Sequence, residues 1–167
     1  MIYPEFYKTY INHLEDKPLL KVLTEVGETA VSFYKNINPE KWRFSYTEGK
    51  WTIKEVLGHV IDTERIMAYR ALRFARKDIT PLPGFEHKDY IKNANYNRRQ
   101  PDDLIDEFYL VRQSNILLFT GFSIADLEAS GTANDGEISV DALGYIISGH
   151  ELHHRKVIQD KYLTSTF

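Results

Sequence analysis

The chain has 167 residues, a formal net charge of −3 and no cysteine. A chain of this length is typically one domain, so we expect a single domain over residues 1–167. The absence of cysteine excludes disulfides, zinc–thiolate sites and a cysteine nucleophile. The charge gives no reason to expect nucleic acid as a partner. Without a signal-peptide pattern or an apolar run of roughly 20 residues, we expect a cytoplasmic protein with no membrane partner.

Four long segments carry apolar residues at the spacing of amphipathic helices. Their predicted ranges are 18–36, 52–77, 101–121 and 139–163. Thr52 followed by Glu55 forms a capping-box pattern at the start of the second helix. Pro101 opens the third helix, with two aspartates at its positive end. These four helices predict an all-α fold, a four-helix bundle.

The connector between the second and third helices, residues 78–101, is unusually long. It contains several prolines, and residues 87–94 could form a helical turn. Segments of this length are often functional lids. This one is also long enough to cross the bundle, so the two helices that it joins need not be antiparallel neighbours. The remaining segments are a weak helix candidate at 5–14, a connector at 39–50 and a polar loop at 123–138.

Histidines occupy positions where a bundle core would ordinarily have leucine or isoleucine. His150 and His154 are four residues apart, so they lie one turn apart on the same face of the fourth helix. Burying two imidazoles without partners costs about 1–3 kcal/mol each. A metal ion removes that cost by using one nitrogen of each ring. The spacing therefore predicts a metal site that takes a third ligand from another helix.

His59, at the border of the apolar face of the second helix, is the best candidate for the third ligand. Taken alone, a histidine in such a position is more often a hydrogen-bonded core or border residue than a metal ligand. His153 points away from the pair on the same helix, and His13 and His87 lie in weakly patterned segments. We expect those three histidines at the surface or behind the ligands.

The stretch from His150 to His154 also matches the H-E-x-x-H pattern of zinc metalloproteases. Those enzymes need a third ligand further along the chain, and the residues after His154 contain no glutamate. The metzincin extension requires glycine and histidine where Val157 and Asp160 stand. We therefore reject the protease interpretation. We expect Glu151 at the surface or beside a ligand, not as a general base.

The sequence from Trp51 to Glu64, the long Pro-Gly connector and the segment from Gly149 to Arg155 together resemble the DinB/YfiT-like superfamily. The resemblance covers nearly the whole chain. It implies a four-helix bundle with the order up-down-down-up, in which the long connector joins two parallel helices. It also implies a homodimer.

The same resemblance implies a divalent metal ion, zinc or nickel, bound by His59, His150 and His154. The family's connector usually carries an aspartate near the metal, and Glu86 stands in that place here. Because imidazole ligands suit zinc, nickel, copper and iron alike, the pattern does not identify the metal.

Three neutral imidazoles leave a divalent ion its charge and an open position, as in catalytic sites. Such a site lowers the pKa of bound water and deprotonates a bound thiol. Similar family members include transferases and isomerases that use low-molecular-weight thiols. We therefore expect a metalloenzyme for a small-molecule substrate, activating a thiol cosubstrate, or water in a hydrolase. Two alternatives stay open: a non-catalytic stress-response or sensor protein that binds metal, and a bundle without metal that only packs against partners.

Other polar residues could assist such a site. Asp62, three residues after His59, could orient that imidazole, and Arg155 could contact the substrate. Asn115 lies on the apolar stripe of the third helix and could line the pocket. Three arginines of the second helix could bind a cofactor carboxylate or form a solvated face; they are Arg70, Arg73 and Arg76.

Overall fold

The computed structural model describes residues 1–164, which form helices and one two-stranded sheet. The helices are α1 (Lys8–Ile11), α2 (Leu19–Lys35), α3 (Ile53–Ala75), α4 (His87–Ala94), α5 (Pro101–Thr120), α6 (Ile124–Glu128) and α7 (Val140–Val157). The antiparallel strands are β1 (Ser130–Ala133) and β2 (Gly136–Ser139). The last helix continues in π-helical form over Ile158–Leu163. No helix within the described residues combines the length and apolarity that crossing a bilayer requires.

The four long helices form the predicted bundle. Helix α3 packs against α5 and α7, and α2 packs against the same two helices, so α2 and α3 occupy opposite corners. The short helix α1 packs on the outer side of α7. As a result, the N-terminal part of α7 is covered on all sides, and every residue from Ala142 to Glu151 is buried.

The long connector joins two parallel helices. Lys54, in the first turn of α3, donates from Nζ to the carbonyl oxygen of Arg99 at 2.5 Å. Arg99 lies two residues before the start of α5, so α3 and α5 begin at the same end of the bundle. The chain leaves α3 at one end and returns along the bundle, through α4, before it enters α5.

Hydrogen bonds at the ends of α7 fix the directions of the other helices. Tyr162, just after α7, donates to the carbonyl oxygen of Trp51 before α3, so these two helices are antiparallel. Tyr145, early in α7, donates to the carbonyl oxygen of Lys17 before α2, so those two are parallel. The order is therefore up-down-down-up, as the family resemblance implies.

A buried polar layer separates two apolar clusters inside the bundle. Arg112 of α5 forms a bidentate ion pair with Glu64 of α3, at 2.7 and 2.9 Å. Arg112 also donates to the carbonyl oxygen of Leu23, and Asn115 donates to Glu64 at 3.2 Å. The layer therefore connects α2, α3 and α5 through side chains that are almost fully buried.

The prediction of a polar loop at 123–138 is wrong, because this segment forms α6 and the β1–β2 hairpin. Asn134 and Asp135 form its turn with φ angles of 50° and 60°. Two consecutive positive φ angles are typical of a type I′ turn, which these residue types tolerate. Leu82 of the connector donates its backbone N–H to the carbonyl oxygen of Thr132, so the hairpin holds part of the connector beside the bundle.

Candidate metal centre

The start of α3 is fixed by hydrogen bonds on both sides of its first turn. The predicted capping box is present: Glu55 donates its backbone N–H to Thr52 Oγ1, and Thr52 donates its own to Glu55 Oε2. Asn97, at the end of the connector, donates to Glu55 and accepts from Thr52. His59 follows Glu55 by one turn, so this network sets the position of its ring.

The second part of the site depends on a close approach between α7 and the N-terminal segment. A Cβ atom on Gly149 would lie 1.6 Å from the carbonyl oxygen of Tyr10, so only glycine allows this contact. The edge of the Tyr10 ring then packs against the rings of His150 and His153, at 5.5 and 5.4 Å between centroids. Tyr10 thus closes one side of the histidine cluster.

The structure brings the three predicted ligands together. The Nε2 atom of His150 lies 3.1 Å from Nε2 of His59 and 3.1 Å from Nε2 of His154. One ring nitrogen from each of the three lies within 4.8 Å of the others. Metal–nitrogen bonds of about 2.0–2.1 Å in a tetrahedral site place neighbouring nitrogens about 3.3 Å apart. The spacing of the three imidazoles is therefore that of a set able to hold one divalent ion.

Burial keeps these imidazoles neutral. It lowers the pKa of His59 to about 4, with His87 adding to the effect. It lowers the pKa of His154 to about 3, and it lowers that of His150 well below the ordinary value. A neutral imidazole has a free lone pair, which a metal requires. The donor set therefore fits a cation at neutral pH.

The ring of His59 is held by two neighbouring side chains. Thr63 Oγ1 lies 3.5 Å from Nδ1 of His59. Nδ1 is on the opposite side of the ring from Nε2, the nitrogen that faces the other two histidines. Trp51 packs against the same ring, at 5.0 Å between centroids. Such contacts orient a ligand ring and select which of its nitrogens faces the metal.

A cavity of about 360 Å³ opens beside the three histidines. This volume is in the range of small-molecule sites. Side chains from α3, α7, the N-terminal segment, the connector and the hairpin turn line it. They are Phe6, Tyr7, Tyr10, Trp51, His59, Thr63, Met67, Arg70, Gly84, Phe85, His87, Asn134, Ile146, His150, His153 and His154.

Two of the predicted assisting residues make other contacts. Asp62 accepts a hydrogen bond from the hydroxyl of Tyr96 at 2.6 Å, so that carboxylate is not the group that orients His59. Burial raises the pKa of Asp62, against the effect of this hydrogen bond. Glu86 is exposed and caps α4 by accepting from the backbone N–H of Lys88. Neither carboxylate lines the cavity.

Arg155 and Glu151 face away from the cavity. Arg155 Nη2 lies 3.0 Å from Glu151 Oε2, and the Glu151 side chain is 0% exposed. Of the two positions expected for Glu151, at the surface or beside a ligand, the first is therefore wrong. Burial raises its pKa to about 7, although Arg155 and Arg112 oppose this. Asn115 does not line the cavity either, because its side chain lies in the polar layer.

The three arginines predicted on the second long helix have separate environments: Arg70 and Arg73 lie on α3, and Arg76 caps its C-terminus. Arg73 forms an ion pair with Asp78, and the guanidinium of Arg76 lies 5.8 Å from the ring centroid of Phe122. Arg70 is buried and lines the cavity. His87 was expected at the surface or behind the ligands; it is exposed, and its ring lines the cavity 5.6 Å from that of His59.

Comparisons with known proteins agree with this fold. The model of the DinB superfamily matches residues 23–158. YfiT from Bacillus subtilis, described as a probable metal-dependent hydrolase with an unusual four-helix bundle topology, has a TM-score of 0.76 at 14% identity, covering 85% of this chain and 82% of that one. A mycothiol-dependent maleylpyruvate isomerase has a TM-score of 0.66 at 17% identity, covering 85% of this chain and 61% of that one.

No curated protein sequence matches the chain. At the identities found, the structural matches establish the fold and not the activity. The family match is different in kind, because it spans well over half of the 167 residues. The chain therefore belongs to the DinB superfamily.

Proposed function

We propose that this protein is a metalloenzyme for a small organic substrate, with His59, His150 and His154 holding one divalent ion. One observation carries the proposal: three neutral imidazoles converge beside a cavity of about 360 Å³. A closed structural site has four protein ligands and leaves no room for a substrate. Here no cysteine, aspartate or glutamate of the described chain joins the three histidines.

A divalent ion in such a site supplies Lewis-acid chemistry, lowering the pKa of a water molecule or a thiol that binds beside it. The protein's own residues provide the surroundings. Trp51, Tyr10 and Phe85 contribute aromatic walls, and a less polar surrounding strengthens the interaction of charges inside. Thr63 holds the ring of His59 from behind.

The first candidate reaction is transfer of a low-molecular-weight thiol to an electrophile. Its support is the family resemblance, together with the fold shared with a mycothiol-dependent isomerase. The second candidate is hydrolysis, because YfiT is described as a probable metal-dependent hydrolase. Zinc and nickel are the metals to test first.

A non-catalytic sensor would need the histidines but not the cavity. The substrate-sized space beside them favours an enzyme over a sensor. The homodimer implied by the family resemblance stays a prediction, which the molar mass in solution measures directly.

The experiment compares two reactions on the protein loaded with zinc, nickel or cobalt. The first is conjugation of a thiol such as glutathione or bacillithiol to an aromatic halide, and the second is hydrolysis of a nitrophenyl ester. We expect turnover of one of the two, lost on chelation and in His150→Ala, but retained in His13→Asn. His13 is exposed with a φ of 68°, which asparagine tolerates. Turnover that survives exhaustive metal removal would contradict the proposal.

A further inference from the structure

Arg70 is a buried cation in the wall of the cavity. It lies on α3, eleven residues after His59, and its side chain is only 3% exposed. His59, Thr63, Met67 and Arg70 follow one another at helical spacing, and all four line the cavity. At 1.5 Å per residue, His59 and Arg70 are about 16 Å apart along the helix axis. One wall of the cavity therefore runs from the metal centre to a guanidinium.

Arg70 has no anionic partner in the part of the chain that the structure describes. Its guanidinium donates to the carbonyl oxygen of Pro83 at 2.9 Å, and it lies 3.7 Å from the sulfur of Met67. The other fully buried arginine, Arg112, forms a bidentate ion pair with Glu64 instead. A guanidinium has five N–H donors and does not lose its charge in a protein. A buried charge without a counter-ion is costly, so Arg70 is suited to receive one.

The surrounding cavity favours an anion over a cation. None of the described residues that line it is an aspartate or glutamate. Asn134, at the hairpin turn, packs against Gly84 of the connector, where a Cβ atom would lie 2.1 Å from Asn134 Oδ1. Gly84 directly follows Pro83, which Arg70 binds. The amide of Asn134 thus lies at the same end of the cavity as the guanidinium.

We propose that Arg70 binds a carboxylate or phosphate group of the substrate, so that the substrates are small organic anions. The anionic group occupies the end of the cavity near Pro83 and Gly84, and the reacting group lies at the three histidines. This inference rests on the proposed function for the reaction, but the binding of an anion by Arg70 can be measured without turnover.

The experiment uses the cobalt-loaded protein and three series of ligands with a terminal thiol: sulfanylalkanoic acids, the corresponding phosphonates and the corresponding amides, with increasing chain length. A thiolate that binds the cobalt ion gives a near-ultraviolet absorption band, and titration of this band gives Kd. The variants are Arg70→Gln and the matched control Arg76→Gln, which removes an exposed guanidinium just after the C-terminal end of the same helix. Circular dichroism and cobalt content verify that each variant is folded and loaded.

We expect the wild type to bind the acid or the phosphonate at least about tenfold more tightly than the amide, at one preferred chain length. Arg70→Gln should reduce this preference to less than about twofold while the amide binds as before, and Arg76→Gln should keep it. A purely structural Arg70 would instead weaken acid and amide equally. Equal affinity of the three ligand types for the wild type, at every chain length, would overturn the proposal without reference to any variant.

A second readout separates this inference from the proposed function. Trp51 lines the cavity, so its fluorescence reports ligands in the metal-free protein. Alkanoates should change the emission at lower concentration than alkanamides, and Arg70→Gln should remove the difference. If the cobalt site fails to form but this preference is present, the metalloenzyme proposal fails and the anion site stands. If cobalt and thiols bind without any preference for anions, the anion site at Arg70 fails and the metalloenzyme proposal stands.

Discussion

The Nε2 atoms of His59 and His150 lie 3.1 Å apart, although 91 positions separate the two residues in sequence. This contact joins the start of α3 to the late part of α7. Because burial disfavours the charged form of each ring, protonation at this point opposes the packing of the two helices. The stability of the metal-free protein therefore depends on pH.

The free energy of unfolding of the metal-free protein should fall as pH is lowered from about 6.5 to about 4. Imidazoles of the unfolded chain take up protons near pH 6.5. The folded-state pKa is lowered to about 4 for His59 and about 3 for His154, so the unfolded state binds more protons in this interval. Glu151 acts in the opposite direction, because its raised pKa of about 7 makes protonation stabilising as pH falls. Asp62, whose pKa burial also raises, acts in the same direction as Glu151. Three imidazoles outweigh these two carboxyls.

Urea unfolding at several pH values measures this dependence. His154→Gln, which removes one of the three rings, should give a shallower fall than the wild type. Glu151→Gln should give a steeper one, since it removes the opposing group. The account is wrong if the stability of the metal-free wild type stays constant between pH 6.5 and pH 4.

The buried ion pair between Glu64 and Arg112 gives a second prediction. Arg112→Met leaves the Glu64 carboxylate buried without its partner, which should lower the free energy of unfolding by about 3–5 kcal/mol. Adding Glu64→Leu should recover a large part of that loss, because no buried charge is then left unpaired. Lys21→Met, which breaks the exposed contact of Lys21 with Glu25, is the control and should have little effect. Additive effects of the two interior changes would argue against the pairing.

A third prediction concerns the approach of the N-terminal segment to α7. Gly149→Ala places a methyl group against the carbonyl oxygen of Tyr10, and this backbone must move away. We expect a loss of about 1–3 kcal/mol in the free energy of unfolding, and weaker ligand binding, since Tyr10 lines the cavity. Gly121→Ala is the matched control, because the nearest atom to its Cβ would be 3.5 Å away and its φ is −80°. Equal stability of the two variants would contradict the account.

The four bundle helices could be predicted from the sequence because their apolar faces repeat at 3.6 residues. The pair His150 and His154 could be predicted for a related reason, since it interrupts such a face with two polar rings. The prediction of His59 as the third ligand depended more on the family resemblance, because its position on the helix alone does not distinguish a ligand from a core histidine.

The interior polar groups could not be predicted in the same way. Glu64 and Arg112 lie on otherwise apolar faces, but only the packed bundle shows that they meet. Glu151 was expected at the surface or beside a ligand, because the protease motif that would make it a general base was rejected. In the structure Glu151 faces the bundle interior, where Tyr34 of α2, Glu64 of α3 and Arg112 of α5 surround it. The hairpin was missed because the Asn134-Asp135 turn signal lies between two very short strands.

The most direct test is the metal content of the purified protein, measured by elemental analysis after incubation with zinc or nickel and removal of unbound ions. We expect one divalent ion per chain in the wild type and in His13→Asn. His59→Ala and His150→Ala should each lower the affinity by more than about 100-fold, because each removes one of three ligands. A wild-type protein that binds no ion, or variants that bind it as tightly as the wild type, would contradict the metal centre at these three histidines.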